Sequence, residues 1–186
     1  MVLKLISYPQ FFRCLMNYYF QFEADFVDSL RCIPMAVRYK LDTCGVKLKL
    51  QHWHQFSLEA RQSLLELPCA TNDEIMDYRS YLQALVHNYT GELPGDVAVE
   101  DFPEWQQGEV IPESVQTQSQ KTQSNLTLEQ WGKLSPLERF ALIKLSRSHH
   151  ENKNFRPALQ EFLGSEFLGS EFSPTPNAPV SAPDNP

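Results

Sequence analysis

The stretch "LTLEQWGKLSPLERFALIKLS", Leu126 to Ser146, lies without a gap over "LKLQHWHQFSLEARQSLLELP", Leu48 to Pro68. The two share Leu48/Leu126, Leu50/Leu128, Trp53/Trp131, Ser57/Ser135, Arg61/Arg139, Leu64/Leu142 and Leu67/Leu145. Each reads as a short helix carrying a tryptophan, a tight turn, a serine N-cap and a longer apolar helix. In the second copy, Ser135-Pro-Leu-Glu138 places Ser at the cap, Pro in the first turn and Glu at the third position. There each residue suits the unpaired N–H groups of a helix start. Thr127 stands in the same relation to Gln130. From Phe140 to Leu145 only Lys144 is polar, which predicts a helix buried on most sides. The leucines and tryptophan at positions 1, 3 and 6 of each copy are more than one hairpin buries alone. Two copies packed together would share a core, with Trp53, Trp131, Leu64 and Leu142 as its candidates. Chance likeness between capped hairpins is the competing account of seven matches in twenty-one positions. The second helix of each copy is too apolar to face a DNA groove.

Outward from the copies, Thr71-Asn-Asp-Glu74 forms a capping box ahead of Ile75, Tyr78, Leu82, Leu85 and Tyr89. Their spacing of three and four residues predicts one apolar stripe on a helix closed by Gly91. This stripe is expected to lie between the two copies. Upstream, Pro34 suits a first helical turn and Gly45 a stop, with Val37, Leu41 and Cys44 at helical spacing, as are Phe26 and Leu30 before them. Glu23 and Asp25 read as acids at a helix start. Residues 92–124 read as a long acidic and polar loop. Phe102, Trp105, Val110 and Ile111 would pin its first half, and "QTQSQKTQS" would be mobile. "NFRPALQEFLG" adds a short helix, "EFLGS" then occurs twice in tandem, and the Pro-rich end reads as disordered. The expected fold is all-α: a compact helical domain over 19–163 built around two similar helix–turn–helix hairpins. An extension over 1–18 precedes it and a disordered tail over 164–186 follows.

Composition agrees with a buried core. The chain has 186 residues, 42% hydrophobic, with twelve Phe and three Trp. The formal charge of −7 is uneven. The acids concentrate in the loop and tail, so the charge says little about what the folded part binds. No basic field suggests nucleic acid. The N-terminal "MVLKLISYPQFFRCLMNYYF" lacks a smooth apolar region and a small-residue cleavage site, which argues against a signal peptide. Met16 is an alternative start. No run approaches a membrane span. Cys14, Cys32, Cys44 and Cys69 have irregular spacing and read as reduced thiols in a cytosol.

Two groups of residues invite a chemical reading. Cys32, Cys44 and Cys69, with His52 or His54, would make a metal site, weighed against small buried thiols. "SRSHHENKNFRP" crowds polar side chains behind a buried helix. Arg147, His150, Glu151, Asn152, Asn154 and Phe155 form a candidate partner-binding patch, weighed against bases that complement a helix C-terminus and against an acid/base site. No nucleophile elbow, phosphate loop or dinucleotide fingerprint occurs.

"FQFEADFVDSLRCIPMAVRYKLDTCGVKLKL", "ELPC" and "LTLEQWGKLSPLERFALIKLSRSHHENKNFRPAL" together resemble the cyanobacterial nitrate reductase associated protein (NarM-like) family, in the same order over about residues 19–163. The resemblance implies a cytoplasmic, non-catalytic accessory protein needed for active assimilatory nitrate reductase, a molybdopterin and iron–sulfur enzyme. The family pattern has Gly before and His after "HEN", where this chain has His149 and Lys153. That argues against a role needing a second histidine downstream of His150. Three functions fit: a maturation factor that binds nitrate reductase as its client, a metal or iron–sulfur handling protein using the three cysteines, and a stably bound subunit or regulator.

Overall fold

Thr71, Thr127, Ser57 and Ser135 each stand where a helix begins. Their hydroxyl oxygens accept from the amides of Glu74 (3.3 Å), Gln130 (3.2 Å), Ala60 (3.2 Å) and Glu138 (3.3 Å). The carboxylates of Glu74 and Glu138 and the side-chain carbonyl of Gln130 answer by accepting from the cap amides. The local chemistry of the capping box therefore places these starts. The computed structural model describes residues 19–27, 29–147, 152–164 and 167. The expected extension over 1–18 lies outside them, as does the expected tail apart from Gly164 and Phe167.

A 3-10 turn at Gln21–Glu23 leads into α1 (Ala24–Val27), followed by α2 (Met35–Cys44), β1 (Val46–Lys47), α3 (Leu50–Gln55), α4 (Leu58–Glu66) and α5 (Asn72–Thr90). Then come β2 (Gly95–Asp96), a 3-10 turn at Glu104–Gln106, α6 (Glu113–Lys121), α7 (Leu128–Lys133), α8 (Pro136–Arg147), a 3-10 turn at Asn152–Asn154 and α9 (Phe155–Leu163). The fold is all-α apart from a small antiparallel pair, in which Val46 faces Asp96 and Lys47 faces Gly95. Among the described residues no helix is long and apolar enough to cross a membrane.

The stretch expected to be a loop departs from the reading. It holds β2, the turn at 104–106 and the whole of α6. Helix α6 packs on α8 and buries Val115, Gln118 and Ser119. Its buried face is mostly short and polar, so no apolar stripe marks it. Trp105 and Ile111 do pack on the core, whereas Phe102 and Val110 are exposed. On α5, Tyr78, Leu82 and Val86 are buried, Ile75 and Leu85 are partly covered, and Tyr89 is exposed at the rim against Phe56.

The single shared core is also replaced by two. One cluster gathers Trp53, Phe56, Leu64, Leu65, Tyr78, Leu82 and Val86; the other gathers Trp131, Phe140, Leu142, Ile143, Phe155 and Leu159. Helix α2, rather than α5, joins them. It contacts α4, α5 and α8, with Val37 and Leu41 in the first cluster and Met35 in the second. The Lys144 ammonium on α8 meets the Asp42 carboxylate on α2 at 2.6 Å.

The 78-residue spacing reaches well beyond the matched hairpins. Leu50–Gln55 and Leu128–Lys133 start 78 apart (128 − 50), and so do Met35–Cys44 and Glu113–Lys121 (113 − 35). Pro34 and Pro112 are the N-caps of the latter pair, inside Ile33-Pro34-x-x-Val37 and Ile111-Pro112-x-x-Val115. Both valines are fully buried. Just past each helix the backbone turns left-handed, at Gly45 (φ 70°) and at Gln123 (φ 54°). The Trp and Arg matches have a common task. The Trp53 indole N–H donates to the Leu30 carbonyl at 2.6 Å, 23 residues upstream, and that of Trp131 donates to the Gln107 carbonyl at 2.9 Å, 24 upstream. Arg61 donates to the carbonyls of Ser29 (3.3 Å) and Leu30 (3.2 Å), and Arg139 to that of Trp105 (2.9 Å). Each Trp–Arg pair thus clamps the chain entering its own set of helices. The close approach requires Gly108, where an added Cβ would lie 2.7 Å from the Arg139 guanidinium.

Candidate functional site

The polar stretch after α8 divides in the structure. Arg147, half-exposed at the end of α8, is ion-paired with Glu104 of the 3-10 turn. Asn154 is half-buried at the start of α9 and makes no side-chain cap bond. Asn152 opens the preceding 3-10 turn, and its side chain lies outside the description, as do His150 and Glu151 altogether. Phe155 corrects the reading of an aromatic docking residue, because it is fully buried in the Trp131 cluster. The apolar side chain behind a polar run turned inward to anchor α9, as burial of so large a ring favours.

The cysteines lie apart in role. Cys32 is half-buried in the bend before α2, Cys44 is buried at the end of that helix, and Cys69 is buried just past α4. Burial pushes the thiol of Cys44 up to about 11 and that of Cys69 up to about 12, which keeps both protonated at neutral pH. Among the described residues no three His, Cys, Asp or Glu side chains come together as a group able to hold a metal ion. His54 instead has its Nε2 2.8 Å from the Arg31 carbonyl oxygen.

Two charged side chains organise the same region, of which the sequence reading passed over Lys40. The Lys40 ammonium donates to the carbonyls of Leu65 and Leu67, each at 2.6 Å, closing the C-terminus of α4. The Glu23 carboxylate accepts from the Met35 amide at 2.8 Å and from the Phe20 amide at 3.1 Å. Pro34 has no hydroxyl with which to cap α2, so Glu23 does so from twelve residues away. Burial pushes Glu23 up to about 7, against the pull of those two amides and of Arg38. An acid at a helix start was the right reading, but not a buried one.

A groove opens beside α2. Ile33, Leu41 and Val46 form its buried floor, with half-exposed Leu50 at one wall and Val97, following β2, at another. Its volume is about 510 Å³. Arg38, Lys47, Lys144 and Asp42 also line it, Lys144 and Asp42 as an ion pair. Arg38 is held in place by donating from Nε to the Ile33 carbonyl at 2.9 Å. Cys32 lies in the same lining. The loop expected over 92–124 supplies Val97 through the short β1–β2 pairing, which Arg79 braces by bonding Asp96 at 2.6 Å and the Cys44 carbonyl at 2.7 Å. Sequence reasoning passed over this lining because its members are scattered among α2, β1, α3, α8 and the segments between them and share no period.

A sequence model of the family described as "Conserved nitrate reductase-associated protein" matches residues 19–162, well over half of the chain. No curated protein and no solved structure matches it.

Proposed function

The chain belongs to the conserved nitrate reductase-associated protein family, and from that premise we propose that it binds nitrate reductase directly as a maturation factor. Its role is accessory to nitrate reductase rather than enzymatic. The family match over residues 19–162 carries this reading. The chain then works in the cytoplasm, beside the enzyme whose molybdopterin and iron–sulfur centres must be installed. Two copies of one helical unit, each with its Trp–Arg clamp, make a stiff platform for holding a client, and stiffness lowers the ordering cost of binding. The 78-residue register of helices, proline caps and left-handed turns supports reading the domain as such a duplication. Arg147 and Asn154, with His150, Glu151 and Asn152 between them in the sequence, remain a candidate contact patch; Phe155 serves the core instead.

The test is to remove the chain from cells that express the reductase and follow the enzyme's polypeptide and activity separately. The expected result is a normal amount of inactive reductase, restored by the wild-type chain. Undiminished activity without the chain would overturn the proposal. Purification of the active enzyme adds a second discrimination. A maturation factor is absent from the finished enzyme, whereas a resident subunit co-purifies in stoichiometric amount.

A further inference from the structure

We infer that Phe102, next to Glu100 and Asp101, anchors a docking surface for a polypeptide that offers an apolar pocket edged by lysine or arginine, and that nitrate reductase supplies that pocket. The identity of the partner rests on the function proposed above; the chemistry of the contact rests on this stretch of chain. Five of the eleven large apolar side chains exposed among the described residues fall within residues 93–110: Leu93, Val97, Val99, Phe102 and Val110. Phe102 is the most exposed of all, at 82%. Its backbone is nonetheless held on the side that follows. The Phe102 carbonyl accepts from the Gln107 side-chain amide at 3.1 Å, and buried Pro103 opens the 3-10 turn at Glu104–Gln106. Within that turn Trp105 meets the rings of Tyr39 and Phe140 edge-on, and Glu104 is ion-paired with Arg147. An aromatic ring presented on a fixed backbone gives up little freedom when a partner buries it, which suits it to be an anchor.

The charge around the ring selects the partner. No lysine or arginine occurs between Arg79 and Lys121, whereas that interval holds seven acids. Asp96 and Glu104 are ion-paired, with Arg79 and Arg147. Glu100 and Asp101 are exposed and have no ion pair among the described residues. Unpaired carboxylates beside an apolar anchor attract a cationic rim and repel an acidic one. Comparison of the two units gives an independent reason. The tryptophan clamps set Leu30 and Gln107 in register, 77 apart (107 − 30). The same spacing lays Phe22-Glu23 over Val99-Glu100. In the first unit the fold uses this pair: Phe22 stacks with Phe20 and meets Phe162, and the Glu23 carboxylate caps α2. In the second unit Val99 is 58% exposed, Glu100 is exposed, and α6 starts with no side-chain cap. What the fold covers in one unit it leaves open in the other.

The experiment uses the full-length chain and purified nitrate reductase. Binding is compared at low and high salt for wild type, Phe102→Ala, the double variant Glu100→Lys with Asp101→Lys, and the control Leu128→Ala, with melting temperatures alongside. Phe102→Ala is expected to weaken binding by about tenfold or more at an unchanged melting temperature, as loss of an aromatic anchor does. The charge reversal is expected to weaken binding by about tenfold or more at low salt and by less at high salt, because added ions screen exposed charges. Leu128→Ala should bind like wild type. Wild-type affinity in Phe102→Ala, or a charge reversal that leaves binding unchanged or tightens it, overturns the docking surface while leaving the proposed function standing. A melting temperature lowered by Phe102→Ala would place the ring in the service of the fold and overturn the inference as well. No binding by the wild-type chain overturns both. If the free chain self-associates and Phe102→Ala abolishes this, a second copy covers the ring and the inference fails.

Discussion

Trp131 is fully buried, and its indole N–H is spent on the Gln107 carbonyl. Trp131→Ala is therefore expected to cost about 3–5 kcal/mol by urea denaturation, from lost packing and a stranded carbonyl. A cost below about 1 kcal/mol would mean that the ring is not a core element. Glu23 makes a prediction of pH dependence. Its carboxyl is raised from the ordinary 4.5 to about 7, chiefly by burial, with Glu161 adding to the rise and Arg38 and two amides opposing it. The folded state holds the proton more tightly than the unfolded chain, so the group's stabilisation is complete below about pH 4.5. It is lost as the pH climbs through about 7. Glu23→Gln removes that titration. The melting temperature of wild type minus that of Glu23→Gln should fall steadily between about pH 5 and about pH 8. A difference that stays level over that window would show that the carboxyl titrates elsewhere.

At the scale of the element, the left-handed turns after α2 and α6 make opposite predictions. A Cβ at Gly45 would lie 2.7 Å from the Val99 Cγ2 and 2.9 Å from the Val97 carbonyl oxygen, at a φ of 70°. Gly45→Ala is expected to cost more than about 2 kcal/mol. Gln123 holds a φ of 54° with a side chain already present, so Gln123→Gly should gain up to about 1 kcal/mol. Thermal denaturation of the two variants checks both signs. The helix starts were legible because capping is a conversation over three residues, as at Thr71 with Glu74 and Thr127 with Gln130. Helix α6 was not, because its buried Gln118 and Ser119 are polar and carry no apolar period. Its signature, Ile-Pro-x-x-Val after the pattern at Ile33, appears only when the hairpin alignment is carried fifteen residues upstream of Leu126 (126 − 111). The groove lining was illegible for a related reason: Cys32, Lys47, Val97 and Lys144 meet through tertiary contacts that no local rule foretells.

At the scale of the whole molecule, the question is whether two cores mean two folding units. Helix α2 answers it, since it gives Met35 to one cluster and Val37 and Leu41 to the other. Asp42 on α2 also binds Lys144 on α8. Losing one core strips a face from the helix that completes the other. Unfolding is therefore expected to be a single transition. Trp53→Phe leaves Trp105 and Trp131, both on the second core, and the double variant Trp105→Phe with Trp131→Phe leaves Trp53 on the first, so fluorescence of the two variants follows opposite cores. In each variant, fluorescence and far-ultraviolet circular dichroism should give one shared midpoint. Separated midpoints would make the two cores independent.

The two clamps grip oxygen atoms of the main chain, never a side chain. What Arg61 and Arg139 recognise is only the path of Ser29–Leu30 and of Trp105, whatever those residues carry outward. The grip therefore leaves exposed Ser29 open to replacement, whereas Leu30 and Trp105 are held a second time by their packing on the two cores.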